Sequence, residues 1–216
     1  FDGWTIDRGP VYEPGSEVSY SGNGLLANAE KVKGYLRYAP APGGVSPRSV
    51  PGQPGGIFTT TSDEHDPKGN ITESAMNRVE MMKKRMGKLD YAASQIPADR
   101  KCKLYGPADA DYTIVGWGST KGAILDSMKV INAQDGPKVN YLHVRLMRPF
   151  PVKEVTEVLS KAKKTVLVEC NYTGQLGLVV REQTGITLDH QILKIDGRPF
   201  SQEELIEGLQ ELFKTG

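Results

Sequence analysis

The sequence is poor in thiols and in long apolar runs, and each scarcity removes a class of function. It holds two cysteines, Cys102 and Cys170, 68 positions apart and without CxxC spacing. An iron–sulfur cluster usually takes four thiolates, and a structural zinc four Cys or His ligands. Two cysteines and three scattered histidines (His65, His143, His190) supply neither by themselves. The thiols read as reduced cysteines of a cytoplasmic protein. No apolar run approaches the roughly 20 residues of a membrane-spanning helix, and no basic stretch leads into an apolar one as in a secretory signal. The sequons Asn70-Ile71-Thr72 and Asn171-Tyr172-Thr173 are therefore read as chance matches. Charge of either sign is not in excess, with 27 Lys and Arg against 26 Asp and Glu. That balance gives no reason to expect nucleic acid or an acidic membrane as partner. The sequence starts at Phe1 rather than Met, so it is read as a processed chain or a piece of a longer polypeptide.

What is present has two textures. Between positions 39 and 56, ten of eighteen residues are Pro or Gly. Such a stretch cannot be helix and makes a poor strand, because proline lacks the ladder donor. It reads as a linker or as an ordered arm laid against a partner. The spacing predicts a helix over 72–93, with Ala75, Val79, Met82, Met86, Leu89 and Ala93 forming one apolar seam. A methionine stripe at this spacing is ordinary packing more often than a special surface. Lys83, Lys84, Arg85 and Lys88 then read as the solvated face of that helix.

From Asp111 onward the pattern is α/β. Strands are predicted over 112–117, 139–146, 165–169 and 190–195, with helices over 120–132 and 152–162, from near Thr173, and at the end of the chain. Ser201 and Glu204 fit a capping box for the terminal helix. Strands alternating with helices of this length indicate βαβ units and a mostly parallel sheet. Residues 165–185 are the most informative stretch. Val166, Leu167 and Val168 suit a buried strand, Glu169, Cys170 and Asn171 bring polar groups to its carboxyl end, and Thr173 can cap the next helix. Open α/β sheets place their crevice at such junctions.

Several clusters could carry chemistry. Gly116-Trp117-Gly118-Ser119-Thr120-Lys121-Gly122 joins a strand to a helix and could cradle phosphate with backbone N–H groups. Its spacing matches neither the dinucleotide fingerprint nor the P-loop, and a tight turn explains it as well. Glu64-His65-Asp66 has acid–base residue types, but three neighbours in sequence do not aim at one atom. Structural or interface use is the simpler reading. Arg48, held between Pro47 and Pro51, could grip a carboxylate or phosphate, or be a solvated loop arginine. Glu169, Asn171, Thr173 and Gln175 could bind a ligand, cap the helix, or hydrogen-bond across a subunit boundary.

Four motifs occur in one order: Ser46-Pro47-Arg48 with Val50-Pro51-Gly52; Glu64-His65-Asp66 with Gly69; Met82-Lys83-Lys84-Arg85 with Lys88-Leu89; and Glu169-Cys170-Asn171-Tyr172-Thr173-Gly174-Gln175-Leu176. The series resembles the alpha subunit of 2-oxoacid:ferredoxin oxidoreductases, especially the 2-oxoglutarate type. Trp117-Gly118-Ser119-Thr120 and Arg148-Pro149-Phe150-Pro151 add to the resemblance. It implies an α/β fold similar to the transketolase C-terminal domain over residues 101–216, with helices on both sheet faces and one antiparallel edge strand. Residues 1–100 would be the tail of a pyrimidine-binding domain with a connecting arm and helix.

The complete enzyme implied by the resemblance uses thiamine diphosphate, Mg²⁺ and iron–sulfur clusters to convert a 2-oxoacid and coenzyme A into acyl-CoA, CO2 and reduced ferredoxin. Its partner would be a beta subunit, and further subunits could join. No catalytic, cofactor-binding or metal-binding residue is carried onto this chain, because the family's pyrimidine-side residues lie upstream and its diphosphate motif is in the partner. The portion would serve subunit packing and be inactive alone. Arg48, His65, Ser119, Thr120, Asn171, Thr173, Gly174 and Gln175 are the residues expected to face a partner or ligand. The alternative is a free-standing α/β module that binds a nucleotide or phosphate through Gly116 to Gly122.

Overall fold

The computed structural model describes residues 17–18 and 32–215, so most of the expected pyrimidine-domain tail lies outside the described residues. The chain divides into two compact units, Phe1–Ala92 and Ala93–Gly216.

In the first unit, β1 (Glu17–Val18) pairs antiparallel with β2 (Val32–Lys33), and the long helix α1 runs over Ala75–Gln95. The Pro/Gly-rich segment is ordered and lies on α1. A Cβ at Gly43 would come within 2.5 Å of the Tyr91 ring, and one at Gly44 within 2.7 Å of the Lys84 carbonyl. Both glycines have positive φ, 64° and 71°. Only a residue without a side chain permits this backbone and this approach. The arm expected to reach a partner thus spends its contacts on its own helix.

That packing corrects the expected orientation of α1. Asn77 and Met81 are buried, whereas Val79, Met82 and Met86 are 52%, 37% and 47% exposed. Lys84 and Arg85, expected in solvent, are half-buried. The reason is that partners await them: Lys84 Nζ donates to the Tyr38 carbonyl and to Ser46 Oγ, both at 2.6 Å. Arg85 meets the Glu64 carboxylate. A cation with several oxygen partners is stable inside where an unpaired one is not.

The second unit opens with a short helix α2 (Ala98–Lys101) and the strand β3 (Cys102–Tyr105). It continues through β4 (Tyr112–Trp117), α3 (Lys121–Ala133), β5 (Val139–Val144), α4 (Val152–Leu159), β6 (Thr165–Glu169), α5 (Gln175–Thr184), β7 (His190–Leu193) and α6 (Gln202–Thr215). The sheet order is β3-β5-β4-β6-β7, parallel except for β3, which pairs antiparallel with β5. β5 and β6 are buried along their full length, as expected of strands covered on both faces. One face packs Ile114, Val166 and Val168 against Ile124 and Met128 of α3 and Leu205 and Leu209 of α6. The other packs Val115, Leu142 and Leu167 against Val155 of α4 and Leu176 and Val180 of α5. The fold class read from the sequence is therefore the one observed. The capping box is also formed: Ser201 N–H donates to Glu204 Oε2 at 2.8 Å, and Glu204 N–H to Ser201 Oγ at 3.2 Å.

The two faces of α1 differ measurably. Met81→Ala should cost about 2–4 kcal/mol in chemical denaturation of the chain, whereas Met86→Ala should stay within about 0.5 kcal/mol. Equal costs would mean that the seam read from periodicity, not the observed one, is the packed face.

Candidate crevice at the carboxyl end of the sheet

In the second unit the chain runs from β4 to β5 on one side and then returns to place β6 on the other. Such a reversal leaves a crevice beyond the carboxyl ends of the two strands, where open α/β sheets bind ligands. Here a cleft of about 580 Å³ is lined by Ser119, Cys170, Asn171, Tyr172, Lys194 and Arg198, among others.

The floor of the junction is Glu169, the last residue of β6 and only 2% exposed. Its Oε1 accepts the Trp117 indole N–H at 2.9 Å, and its Oε2 accepts the Leu176 backbone N–H at 2.9 Å. A buried carboxylate without such donors would be strongly disfavoured. Asn171 completes the start of α5. Its Oδ1 accepts the backbone N–H groups of Thr173 at 3.2 Å, Gly174 at 2.7 Å and Gln175 at 3.2 Å. Thr173, read as the capping residue, gives its backbone N–H to this cap instead. Two side chains therefore consume the first donors of α5, the groups that would otherwise attract an anion.

Gly174 has φ 65°, and a Cβ there would lie 2.8 Å from Gln191 Oε1 and 2.9 Å from Leu167 Cδ2. The close approach of α5 to the sheet requires glycine at that point. In the turn after β4, Thr120 is buried and its hydroxyl donates to the Trp117 carbonyl at 2.8 Å, while Ser119 is exposed on the cleft wall. Lys194 is neutralised by Asp196 and Glu204, whose hydrogen bonds hold its pKa above the ordinary lysine value.

The first unit holds a separate polar assembly. The Glu64 carboxylate accepts from Arg85 Nη2 and Arg78 Nη1, both at 2.6 Å, and from Arg85 Nη1 at 3.0 Å. The Arg85 hydrogen bonds, joined by those of Arg78, pull its pKa down to about 2. Burial, with repulsion from Lys88, Arg37 and Arg85, pushes the Lys84 ammonium down to about 8. The His65 ring stacks on Tyr38 with centroids 3.9 Å apart, and its carbonyl accepts Asn77 Nδ2–H at 2.8 Å. Asp66 Oδ1 accepts the N–H groups of Lys68 and Asn70 and closes a turn. Glu64, His65 and Asp66 thus serve three different partners. Arg48 is partly buried in the arm, between Pro47 and Ser49, both bonded to the Tyr35 hydroxyl.

Of the sequence-derived candidates, Ser119 and Asn171 share the cleft, and Thr120, Thr173, Gly174 and Gln175 build the turns around it. Arg48 and His65 belong to the other unit. The sequence reading admitted Glu169 and Asn171 as helix caps but missed the indole of Trp117 and the arginine pair on Glu64. The available signal was a lone carboxylate ending the apolar run Val166-Leu167-Val168. No three His, Cys, Asp or Glu side chains gather as metal ligands among the described residues.

Glu169→Ala leaves the Trp117 and Leu176 N–H groups without their acceptor and should cost about 2–4 kcal/mol, with a shift in Trp117 fluorescence. An unchanged denaturation midpoint would exclude the tie. Glu64→Gln should lower stability by about 1–2 kcal/mol at neutral pH. Because the Glu64 pKa is depressed, its stabilisation is complete above about 4.5 and is lost as pH falls towards about 2. The gap between Glu64→Gln and the parent chain should close over that window, and a gap that persists at pH 2 would contradict the assignment.

Comparison with known proteins supplies independent information. The family model for the pyruvate:ferredoxin oxidoreductase core domain II matches residues 110–205. The chain is 38% identical over 164 residues to 2-oxoacid:ferredoxin oxidoreductase 1, subunit alpha, of Aeropyrum pernix, covering 75% of this chain and 26% of that one. It is 39% identical over 156 residues to the 2-oxoacid:ferredoxin oxidoreductase subunit alpha of Saccharolobus solfataricus, covering 72% and 24%. It thus spans about a quarter of the length of these curated relatives. Among solved structures it is similar to the 2-oxoglutarate:ferredoxin oxidoreductase of Magnetococcus marinus with 2-oxoglutarate, coenzyme A and succinyl-CoA bound. That likeness has a TM-score of 0.68 and 27% identity, over 89% of this chain and 32% of that one.

Proposed function

The chain belongs to the alpha-subunit family of the 2-oxoacid:ferredoxin oxidoreductases, and on that premise we propose that it is an architectural portion of such a subunit. The complete enzyme oxidatively decarboxylates a 2-oxoacid, with 2-oxoglutarate as the substrate, and forms an acyl-CoA, CO2 and reduced ferredoxin. The observation that carries this reading is the match over 89% of the chain to the Magnetococcus marinus enzyme. The choice of 2-oxoglutarate and coenzyme A follows what that protein binds.

Thiamine diphosphate and Mg²⁺ supply the decarboxylation chemistry in the complete enzyme, and iron–sulfur clusters carry the electrons. Among the described residues no three His, Cys, Asp or Glu side chains gather as ligands for Mg²⁺ or a cluster. No catalytic step is therefore assigned to this chain. Its own contribution is positional. Glu169 Oε2 and Asn171 Oδ1 accept from the start of α5, Glu169 Oε1 accepts from the Trp117 indole, and Ser119, Tyr172 and Arg198 line the crevice. A wall with its inner donors and acceptors already paired suits a rim, or a surface against a beta subunit, better than a reaction centre.

In the complete complex, Asn171→Ala or Arg48→Ala should lower assembly, 2-oxoglutarate-dependent ferredoxin reduction, or both, by about five- to tenfold, as a lost cap or ion contact of about 1 kcal/mol implies. Wild-type assembly and turnover in both variants would sink the positional role. Ferredoxin reduction by the isolated chain would sink the architectural reading itself.

A further inference from the structure

At the β3–β5 edge of the second unit, three rings line the sheet face that carries α3. Tyr105 and Tyr141 are stacked with centroids 5.9 Å apart, and Tyr141 and His143 at 5.6 Å. The register produces this row: Tyr105 pairs with Tyr141, and residues 141 and 143 of β5 point to one face. Three cations gather on Tyr105. Lys103 Nζ lies 5.0 Å and Lys121 Nζ 5.6 Å from its ring centroid, and Arg145 Nη2 donates to its hydroxyl at 3.1 Å. The second Arg145 nitrogen, Nη1, donates to the Asp99 carbonyl at 3.2 Å, which fixes the guanidinium. None of the three cations forms an ion pair with a carboxylate among the described residues.

Behind the cations lie the buried Tyr141 hydroxyl, beside the Thr120 hydroxyl, and His143 Nδ1, which has no hydrogen-bond partner among the described residues. Tyr141 is fully buried and His143 is 9% exposed. The Thr120 hydroxyl gives its proton to the Trp117 carbonyl and is left as an acceptor for the Tyr141 phenol. Burial, with Arg145 and Lys121 nearby, pushes the His143 imidazole down to about 4, and burial pushes the Tyr141 phenol up. At neutral pH the ring is uncharged and the phenol keeps its proton, so the cluster's charge is that of its lysines and arginine. Buried polar atoms are ordinarily satisfied, and orphans beside uncompensated cations mark a place for a polar ligand.

We propose that this cluster is a binding site for the phosphate or diphosphate group of a small molecule. A doubly charged oxyanion matches several convergent cations, and Arg145 has further N–H donors beyond the two given to Tyr105 and Asp99. His143 Nδ1 offers a donor or acceptor, according to tautomer, for the anion or an ordered water beneath it. An acidic protein surface would meet Lys103 at the exposed edge and leave His143 Nδ1 unused. The site goes beyond the architectural role and does not depend on it, because binding is read on the chain itself, without turnover.

The test is calorimetry of the full chain with inorganic phosphate, pyrophosphate and ADP at low salt. Pyrophosphate should bind, Lys121→Gln and Arg145→Lys should each weaken it tenfold or more, and Lys129→Gln, on the same helix, should not. Saturation should also move the His143 ring resonances in the NMR spectrum. ADP tighter than pyrophosphate would identify a nucleotide as the source of the phosphate, and equal affinities a free anion. No binding at millimolar pyrophosphate, equal weakening in Lys129→Gln, or binding only of an acidic peptide would overturn the proposal. The paired use of Arg145→Lys and Lys121→Gln guards against loss of the Asp99 contact being mistaken for loss of the site.

Discussion

Glu169 accepts one hydrogen bond from the Trp117 indole and another from the Leu176 backbone, in a place where neither oxygen can turn to water instead. This pairing joins the end of β4, the end of β6 and the first turn of α5. Remove the carboxylate and two donors lose their acceptor at the point where the sheet meets the helix. With it in place, Asn171 is aimed at the next three backbone N–H groups, and Gly174 brings α5 close to Leu167 and Gln191. The crevice wall is a consequence of how that buried carboxyl group is satisfied.

The first unit solves a similar problem with the signs exchanged. There Lys84 is received by the Tyr38 carbonyl and the Ser46 hydroxyl of the arm, and Arg85 by the Glu64 carboxylate. Glycines at 43 and 44 let the backbone come near enough for Lys84 to reach. The methionine stripe left outside is adaptable surface.

The two polar centres of the second unit differ in how fully they are paired. At the crevice, donors and acceptors are matched within the chain, and Lys194 has two carboxylates. At the β3–β5 edge, three cations share one phenol, and the buried His143 Nδ1 has no partner among the described residues. Satisfied polar groups hold a fold, whereas unsatisfied ones are where a ligand has something to add. That contrast separates the architectural role proposed for the crevice from the proposed anion site, although both lie on one sheet.

The sequence alone determined what depends on neighbours within a few residues. The strands Tyr112–Trp117 and Thr165–Glu169 occur at the predicted positions, and the Ser201–Glu204 capping box is formed, because hydrophobic period and cap chemistry are local. The four ordered motifs also identified the family. Tertiary structure alone decided which face of α1 is packed, which residue caps α5, and which side chains meet. Trp117 and Glu169 are 52 positions apart, and Lys84 and Tyr38 46. Periodicity ranks residues by hydrophobicity, so it sends a lysine outward, and it has no knowledge of a carbonyl and a hydroxyl waiting in a distant arm. The cation cluster on Tyr105 has the same origin, since its members come from β3, α3 and the segment after β5 and share a place only through the sheet's register.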